Sequence, residues 1–249
     1  MDNREKAQID SMDPQMEFDE AAATYDEGLE KLLGVWGKNN ERFAEYKIQL
    51  LRDIIPGERR KVLDFGCGTG RSLQYLKQYY ADQETPPQLY GCDVSEESLI
   101  IAEKVLPEAE IFPDHTVEDL FRREVRWDLV LLACVLHHIE PRDRQMWMEA
   151  LVKTLSPGGY IAVFEHNLRN PYTKSIVNNP ENTVDRPEYM LSQKELAELL
   201  LGAGPGMRLF WKGYTCFSPI RRPWVTRLEH GLSWLPLGAQ HCVIVKKEA

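Results

Sequence analysis

The chain has 249 residues, of which 43% are hydrophobic and 28% charged, and its formal net charge is -9. That composition can bury a core, while the negative field works against phosphate polymers, so no nucleic-acid partner is expected. No apolar run is long enough to span a bilayer, and the start MDNREKAQID lacks the apolar stretch of a signal peptide. The expectation is a cytoplasmic protein without a membrane partner.

Five cysteines, Cys67, Cys92, Cys134, Cys216 and Cys242, are scattered and form no CxxC or CxH pair. They read as free thiols in a reducing compartment, and neither a zinc site nor any other metal is expected. In chain order, residues 1–17 are polar and read as a mobile N-terminus. From Phe18, apolar residues recur at helical spacing through Ala22, Tyr25, Leu29, Leu32 and Leu33, then Phe43, Tyr46, Leu50 and Leu51. Two or three helices are expected before the first strand.

An alternation follows. Strands are expected at Lys61 to Phe65, Gln88 to Cys92, Ala109 to Phe112, Trp127 to Leu132 and Tyr160 to Phe164, the last introduced by the turn SPGG. Helices are expected at Ser72 to Tyr80, Ser95 to Val105 and Gln145 to Leu155. Strands separated by helices make βαβ units and a parallel sheet covered on both faces. Ser192 to Leu201 reads as a helix opened by the capping box SQKE. Met207 to Phe217 and Gln240 to Lys246 read as two strands, joined by a Pro- and Trp-containing connection and forming an antiparallel pair at the sheet edge.

The chemistry concentrates in four stretches. KVLDFGCGTGRS places Gly66, Gly68 and Gly70 after the first strand, where bare backbone and helix-terminal amides can meet a ligand. Its GxGxG spacing differs from the dinucleotide pattern GxGxxG, and Asp64 adds a carboxylate that suits a ligand carrying a cation and repels pyrophosphate. The alternative is a plain strand-to-helix turn with glycines for packing. GCDVSEESL ends the second strand at Asp93, placed either to hold two ribose hydroxyls or to cap the next helix, with Ser95 as the rival cap. DHTVEDL sets Thr116 and Val117 at the crevice edge, unless Val117 and Leu120 are only helix core. WDLVLLACVLHHIE carries Ala133, Cys134, His137 and His138 at the carboxyl end of the fourth strand, where open α/β sheets bind ligands.

VLDFGCGTG, GCDVSEESL, WDLVLLACVLHHI and LSPGGYIAVFEH stand in the order and spacing of the class I S-adenosylmethionine-dependent methyltransferases. The chain resembles that family from Phe18 onward, most specifically over 61–165. The resemblance implies a Rossmann-like, doubly wound seven-stranded α/β sheet, mostly parallel with one antiparallel strand in the edge region. It further implies one domain over 18–249, divided into a helical lid at 18–56, a cofactor-binding core at 57–166, and a substrate-side insert with the C-terminal strands at 167–249. The implied cofactor is S-adenosyl-L-methionine, with S-adenosyl-L-homocysteine as product. Asp64, Gly66, Cys67, Gly68 and Gly70 would hold its methionine part, Asp93 and Val94 its ribose, and Thr116 and Val117 its adenine, with Ala133 completing the set. Thr116 departs from the acid often found there.

Methyl transfer to an amine or hydroxyl needs in-line positioning and a path for a proton. In small-molecule N-methyltransferases of this class a histidine follows the "VL" of the fourth-strand motif and pairs with a tyrosine from the N-terminal helix. His137 and Tyr25 match those places. His138 points about 100° from His137 in a helical turn, and packing is its alternative role. His166, followed by Asn167, Asn170 and Tyr172, offers a further base or substrate contact, unless the asparagines only bond backbone. Arg221 and Arg222 are candidate anion partners. The expected activity is methylation of N or O on a small polar metabolite: an amino sugar, sugar or amine. A protein acceptor and a nicotinamide-dependent dehydrogenase on a related fold are the rivals, and a homodimer is left open.

Overall fold

The computed structural model describes residues 41–114, 116–180, 182, 185–218 and 223–248. The expected helices at 18–33, Tyr25, and the Arg221 and Arg222 side chains lie outside the described residues.

Helix α1, Glu41–Ile54, precedes strand β1, Lys61–Phe65. Helix α2 (Arg71–Tyr79), strand β2 (Gln88–Asp93), helix α3 (Glu96–Val105), strand β3 (Glu110–Pro113) and helix α4 (Val117–Phe121) follow. Then come β4 (Trp127–Ala133), α5 (Arg144–Thr154), β5 (Leu155–His166), α6 (Pro171–Val177), α7 (Gln193–Gly202), β6 (Met207–Thr215), α8 (Pro223–Gly231) and β7 (Gln240–Lys247). The strands form one seven-stranded sheet in the order β3-β2-β1-β4-β5-β7-β6. β1 to β5 pair in parallel, and β7 runs antiparallel between β5 and β6. The last two strands therefore do pair with each other, but β7, the antiparallel one, is inserted and β6 forms the edge.

Alternation along the strands builds two cores, because successive side chains face opposite sides of a sheet. Leu63, Val130, Leu132, Ile161, Val163 and Val243 face α5 and α7. Val62, Leu129, Leu131, Ala162, Phe164 and Ile244 face the other side, with Ile48, Leu50 and Leu51 of α1 and Leu73 and Leu76 of α2. Strands buried on both faces read as unbroken apolar runs, as WDLVLLA does. The capping box of α7 forms as expected, with Ser192 and Glu195 exchanging bonds.

Two local features differ from the sequence reading. β5 begins at Leu155, upstream of the SPGG segment, and its register against β4 shifts between Trp127 and Leu129. Gly158 takes up the irregularity with φ 76°. The connection between β6 and β7 contains the helix α8, beginning at Pro223, where the fixed proline φ suits a first helical turn.

Candidate active site

The first half of the site is the loop from β1 to α2. Gly66, Gly68 and Gly70 have φ of 72°, 51° and 81°, which costs other residues strain. The amides of Gly66 and Cys67 both donate to the Cys92 carbonyl at 2.9 Å, so the loop folds over the end of β2. A Cβ on Gly66 would come within 2.5 Å of a Val135 methyl, whereas one on Gly68 would meet no atom of the described residues within 4 Å. Gly66 is therefore small for packing, and Gly68 borders open space. Asp93 braces this loop: its Oδ2 accepts from the Gly68 amide at 2.8 Å and its Oδ1 from the Ser95 amide at 3.0 Å. Ser95 is the helix cap, its Oγ accepting from the Ser98 amide at 3.2 Å.

Two buried acids face this loop without matching partners. Asp64 is 1% exposed, and neither carboxylate oxygen has a hydrogen-bond partner among the described residues. Burial pushes its pKa up to about 8; Lys47 pulls it down and the Asp93 charge raises it. Asp114 is also buried; its Oδ1 has no partner among the described residues, and burial with the Asp93 charge holds it well above the carboxylate range against a hydrogen bond with Cys92. Unpartnered oxygens on buried carboxyls cost several kcal/mol in order of magnitude, and the expense is explained if a ligand brings a cation to Asp64 and an N–H donor to Asp114. Asp114 was missed by sequence reasoning, although it opens the DHTVEDL stretch at the end of β3. Thr116 instead is exposed and begins α4, its amide and hydroxyl donating to Asp119 at 2.9 and 3.0 Å. Val117 packs on the core, Cys67 is buried, and Val94 and Ala133 are half-buried at the ends of β2 and β4.

The second half stands over the carboxyl ends of β4 and β5. His137 is fully buried, with Nδ1 2.5 Å from Glu165 Oε2 and Nε2 3.1 Å from Asp185 Oδ1. Glu165 Oε1 accepts from the Leu136 amide at 2.8 Å, and Asp185 Oδ2 accepts from Asn182 Nδ2 at 2.8 Å. Burial alone would lower the pKa of His137, but Glu165 and Asp185 outweigh it and hold the imidazole at about 9. Burial would raise that of Glu165; the adjacent imidazolium instead brings it to about 2. Asp185 also lies far below its ordinary value: burial opposes this, and His166 and His137 prevail. His166, a quarter exposed, reaches the same Asp185 oxygen at 3.9 Å. The His138 ring stacks 4.0 Å from that of His137, and burial with the His137 charge drives its pKa down to about 3.

Glu165 and Asp185 were not among the residues singled out from sequence. Glu165 sits within the quoted LSPGGYIAVFEH; Asp185 lies in an irregular stretch with no periodic signal. Lys47, on α1, was missed too: it is buried, with Nζ 3.8 Å from Cys134 Sγ, and its charge acts on both Asp64 and His166. Asn167 and Asn170 bond backbone: Asn167 Nδ2 donates to Gly238 O at 2.7 Å, and Asn170 caps α6 through Tyr172 and Thr173.

A parallel-centred sheet with an inserted antiparallel β7, a glycine loop after β1 and an acid at the end of β2 define the class I Rossmann-like methyltransferase fold. Residues 63–161 match a family model described as a methyltransferase domain. An uncharacterized methyltransferase of Synechocystis sp. is 33% identical over 125 residues, 50% of this chain and 54% of that relative. The chain thus spans about half or less of the curated relatives it matches. Among solved structures, a plantazolicin methyltransferase bound to a desmethylated plantazolicin analogue and S-adenosylhomocysteine superposes with a TM-score of 0.62. It is 16% identical, with 95% of this chain and 100% of that one covered. A Thermotoga maritima protein described as a possible histamine N-methyltransferase gives 0.63 at 20% identity, over 95% and 100% of the two chains. At those identities the likeness concerns the fold. Residues 63–161 thus match a methyltransferase domain carried on this fold.

Proposed function

We propose that this protein transfers a methyl group from S-adenosylmethionine to a nitrogen or oxygen of a small polar metabolite, an amino sugar, sugar or amine. The observation that carries the cofactor half is Asp64, a buried carboxyl with both oxygens unpartnered beside a glycine loop open at Gly68. When bound, the cofactor supplies an electrophilic methyl group on a sulfonium. Asp64 would hold its ammonium, Asp93 its ribose and Asp114 its adenine amine.

The acceptor half rests on the histidine and carboxylate cluster over β4 and β5. Fixed charges of both signs in a crevice wall position polar acceptors and exclude apolar ones. His166, the more exposed histidine, is suited to take a proton from an acceptor, with Asp185 steadying the resulting charge. His137, engaged at both ring nitrogens, orients Asp185. Among similar folds, one solved protein is described as a possible histamine N-methyltransferase, which supports an amine acceptor.

Two measurements test this reading. S-adenosylhomocysteine should raise the melting temperature and NAD should not, since only a ligand of the native state stabilises it. Release of S-adenosylhomocysteine should then accelerate with an amino sugar or small amine. No shift with S-adenosylhomocysteine overturns the cofactor assignment. A shift with turnover only on protein substrates overturns the small-molecule acceptor.

A further inference from the structure

The residues that bring His137, His166 and Asp185 together have the arrangement of a ligand set. One donor atom from each, taken as ring nitrogens and a carboxylate oxygen, lies within 4.8 Å of the other two. The closest pairs are His137 Nε2 to Asp185 Oδ1 at 3.1 Å and His166 Nε2 to the same oxygen at 3.9 Å. A tetrahedral ion with bonds of about 2.0–2.1 Å sets its donors about 3.4 Å apart, so the cluster needs only side-chain adjustments of about an ångström.

The surrounding groups also fit. A histidine that binds a metal through Nε2 almost always donates its Nδ1–H to a carboxylate or carbonyl, which fixes ring and tautomer. His137 does this to Glu165 at 2.5 Å, and Glu165 is itself pinned by the Leu136 amide. The carboxylate donor is oriented likewise. Asn182 holds Asp185 Oδ2 at 2.8 Å, which turns Oδ1 toward both histidines. His137 is thus aimed by a carboxylate from β5, and Asp185 by an amide three residues away.

We propose that His137, His166 and Asp185 bind one divalent first-row transition-metal ion, with at least one coordination position left for an oxygen ligand. Two imidazoles and one carboxylate suit Zn²⁺, Fe²⁺ or Mn²⁺, whereas Ca²⁺ and Mg²⁺ take oxygen donors. Three protein ligands with an open position are the pattern of sites that act on a bound water or substrate. The cysteine spacing speaks only against thiolate sites and leaves a nitrogen and oxygen site untouched. An ion held by His166 and Asp185 would replace the proton-accepting role given to His166 above, so the site stands on side-chain geometry alone and not on that role.

The test reads metal and not turnover. The full chain is stripped with a chelator, dialysed, and titrated with Zn²⁺ by calorimetry in a non-coordinating buffer, with bound metal counted by elemental analysis. We expect one ion per chain. Asp185→Asn and His166→Ala should each weaken binding at least about 100-fold, and Glu165→Gln by about 10- to 100-fold, the usual range for a supporting carboxylate. His166 is partly exposed, so its variant should keep the wild-type circular dichroism even if Asp185→Asn does not. Absence of stoichiometric uptake overturns the proposal, as does uptake undiminished in folded His166→Ala. Either result leaves the methyltransferase reading standing, since S-adenosylhomocysteine binding is scored separately.

Discussion

Asp64→Asn should make the ligand-free protein more stable at neutral pH while destroying its affinity for the cofactor. The carboxyl is 1% exposed and its pKa is raised from 3.8 to about 8, so the folded chain keeps it protonated where the unfolded chain ionises it. A folded value above the unfolded one means that stability is lost as pH rises, starting near 3.8 and ending near 8. The slope is about 1.4 kcal/mol per pH unit, so about 2.7 kcal/mol disappears between pH 5 and 7 from this group alone. Asparagine matches the neutral carboxyl in shape and polarity, and it cannot ionise. Near pH 4 the two proteins should therefore be similar, and at pH 7 the variant should be ahead by roughly 4 kcal/mol. Urea unfolding at pH 5 and 7, with unchanged m-values, reads the difference directly. Calorimetry supplies the second arm: S-adenosylhomocysteine should bind wild type with proton release to the buffer and bind the variant far more weakly. Parallel pH dependence of the two proteins between pH 5 and 7 would refute the reasoning, because it would mean Asp64 is already ionised against Lys47.

The His137 and Glu165 pair should show its own pH signature. The His137 value is raised to about 9, so its stabilisation is complete below about 6.5 and lost as pH rises through 9; that of Glu165 is lowered to about 2, so its share is complete above about 4.5 and lost on acidification. Glu165→Gln should flatten both limbs of the stability profile measured on an Asp64→Asn background. Gly68→Val should melt about 1–3 kcal/mol lower through strain at φ 51° and bind no S-adenosylhomocysteine, because the space its side chain would enter is open to the ligand. Asp114→Asn should weaken S-adenosylmethionine by about tenfold or more in calorimetry, the scale of one hydrogen bond to a charged group, with little loss of fold. His166→Ala should lower turnover by about 10²- to 10⁴-fold with cofactor affinity retained if it accepts the acceptor's proton.

What could be read from sequence and what could not divides by the range of the interaction. β1, β2 and β4 were legible because a strand buried on both faces must be apolar throughout, and the GxGxG loop because only glycine serves at three positive φ angles in five residues. Ser192 with Glu195 was legible for a similar reason, since a capping box is closed within four residues. Asp114 lay in a quoted stretch, yet Thr116 was preferred. Distinguishing them needs to know that Asp114 is buried against β2 while Thr116 spends its bonds on Asp119. Asp185 had no local signal, because the chain around it has neither helical nor strand period. Its role depends on a contact across 48 residues with His137.

That contact also changes what the HisHis pair means. Read alone, Leu136-His137-His138 offers His137 as the base at the mouth of a crevice and leaves His138 to packing. In the fold, Glu165 arrives on the neighbouring strand because β4 and β5 pair in parallel, with Ala133, the last residue of β4, opposite Phe164, two residues before β5 ends. It takes Nδ1 of His137, and Asp185 then takes Nε2, so the histidine nearest the sequence motif is the one with no nitrogen left for an acceptor's proton. His138 is driven toward the neutral form by the charge on its neighbour. The group left with both exposure and a carboxylate at hand is His166, one residue beyond Glu165 on β5. On the proposed reading, the parallel register of β4 and β5 places the proton-handling group at the end of β5 and not at the end of β4.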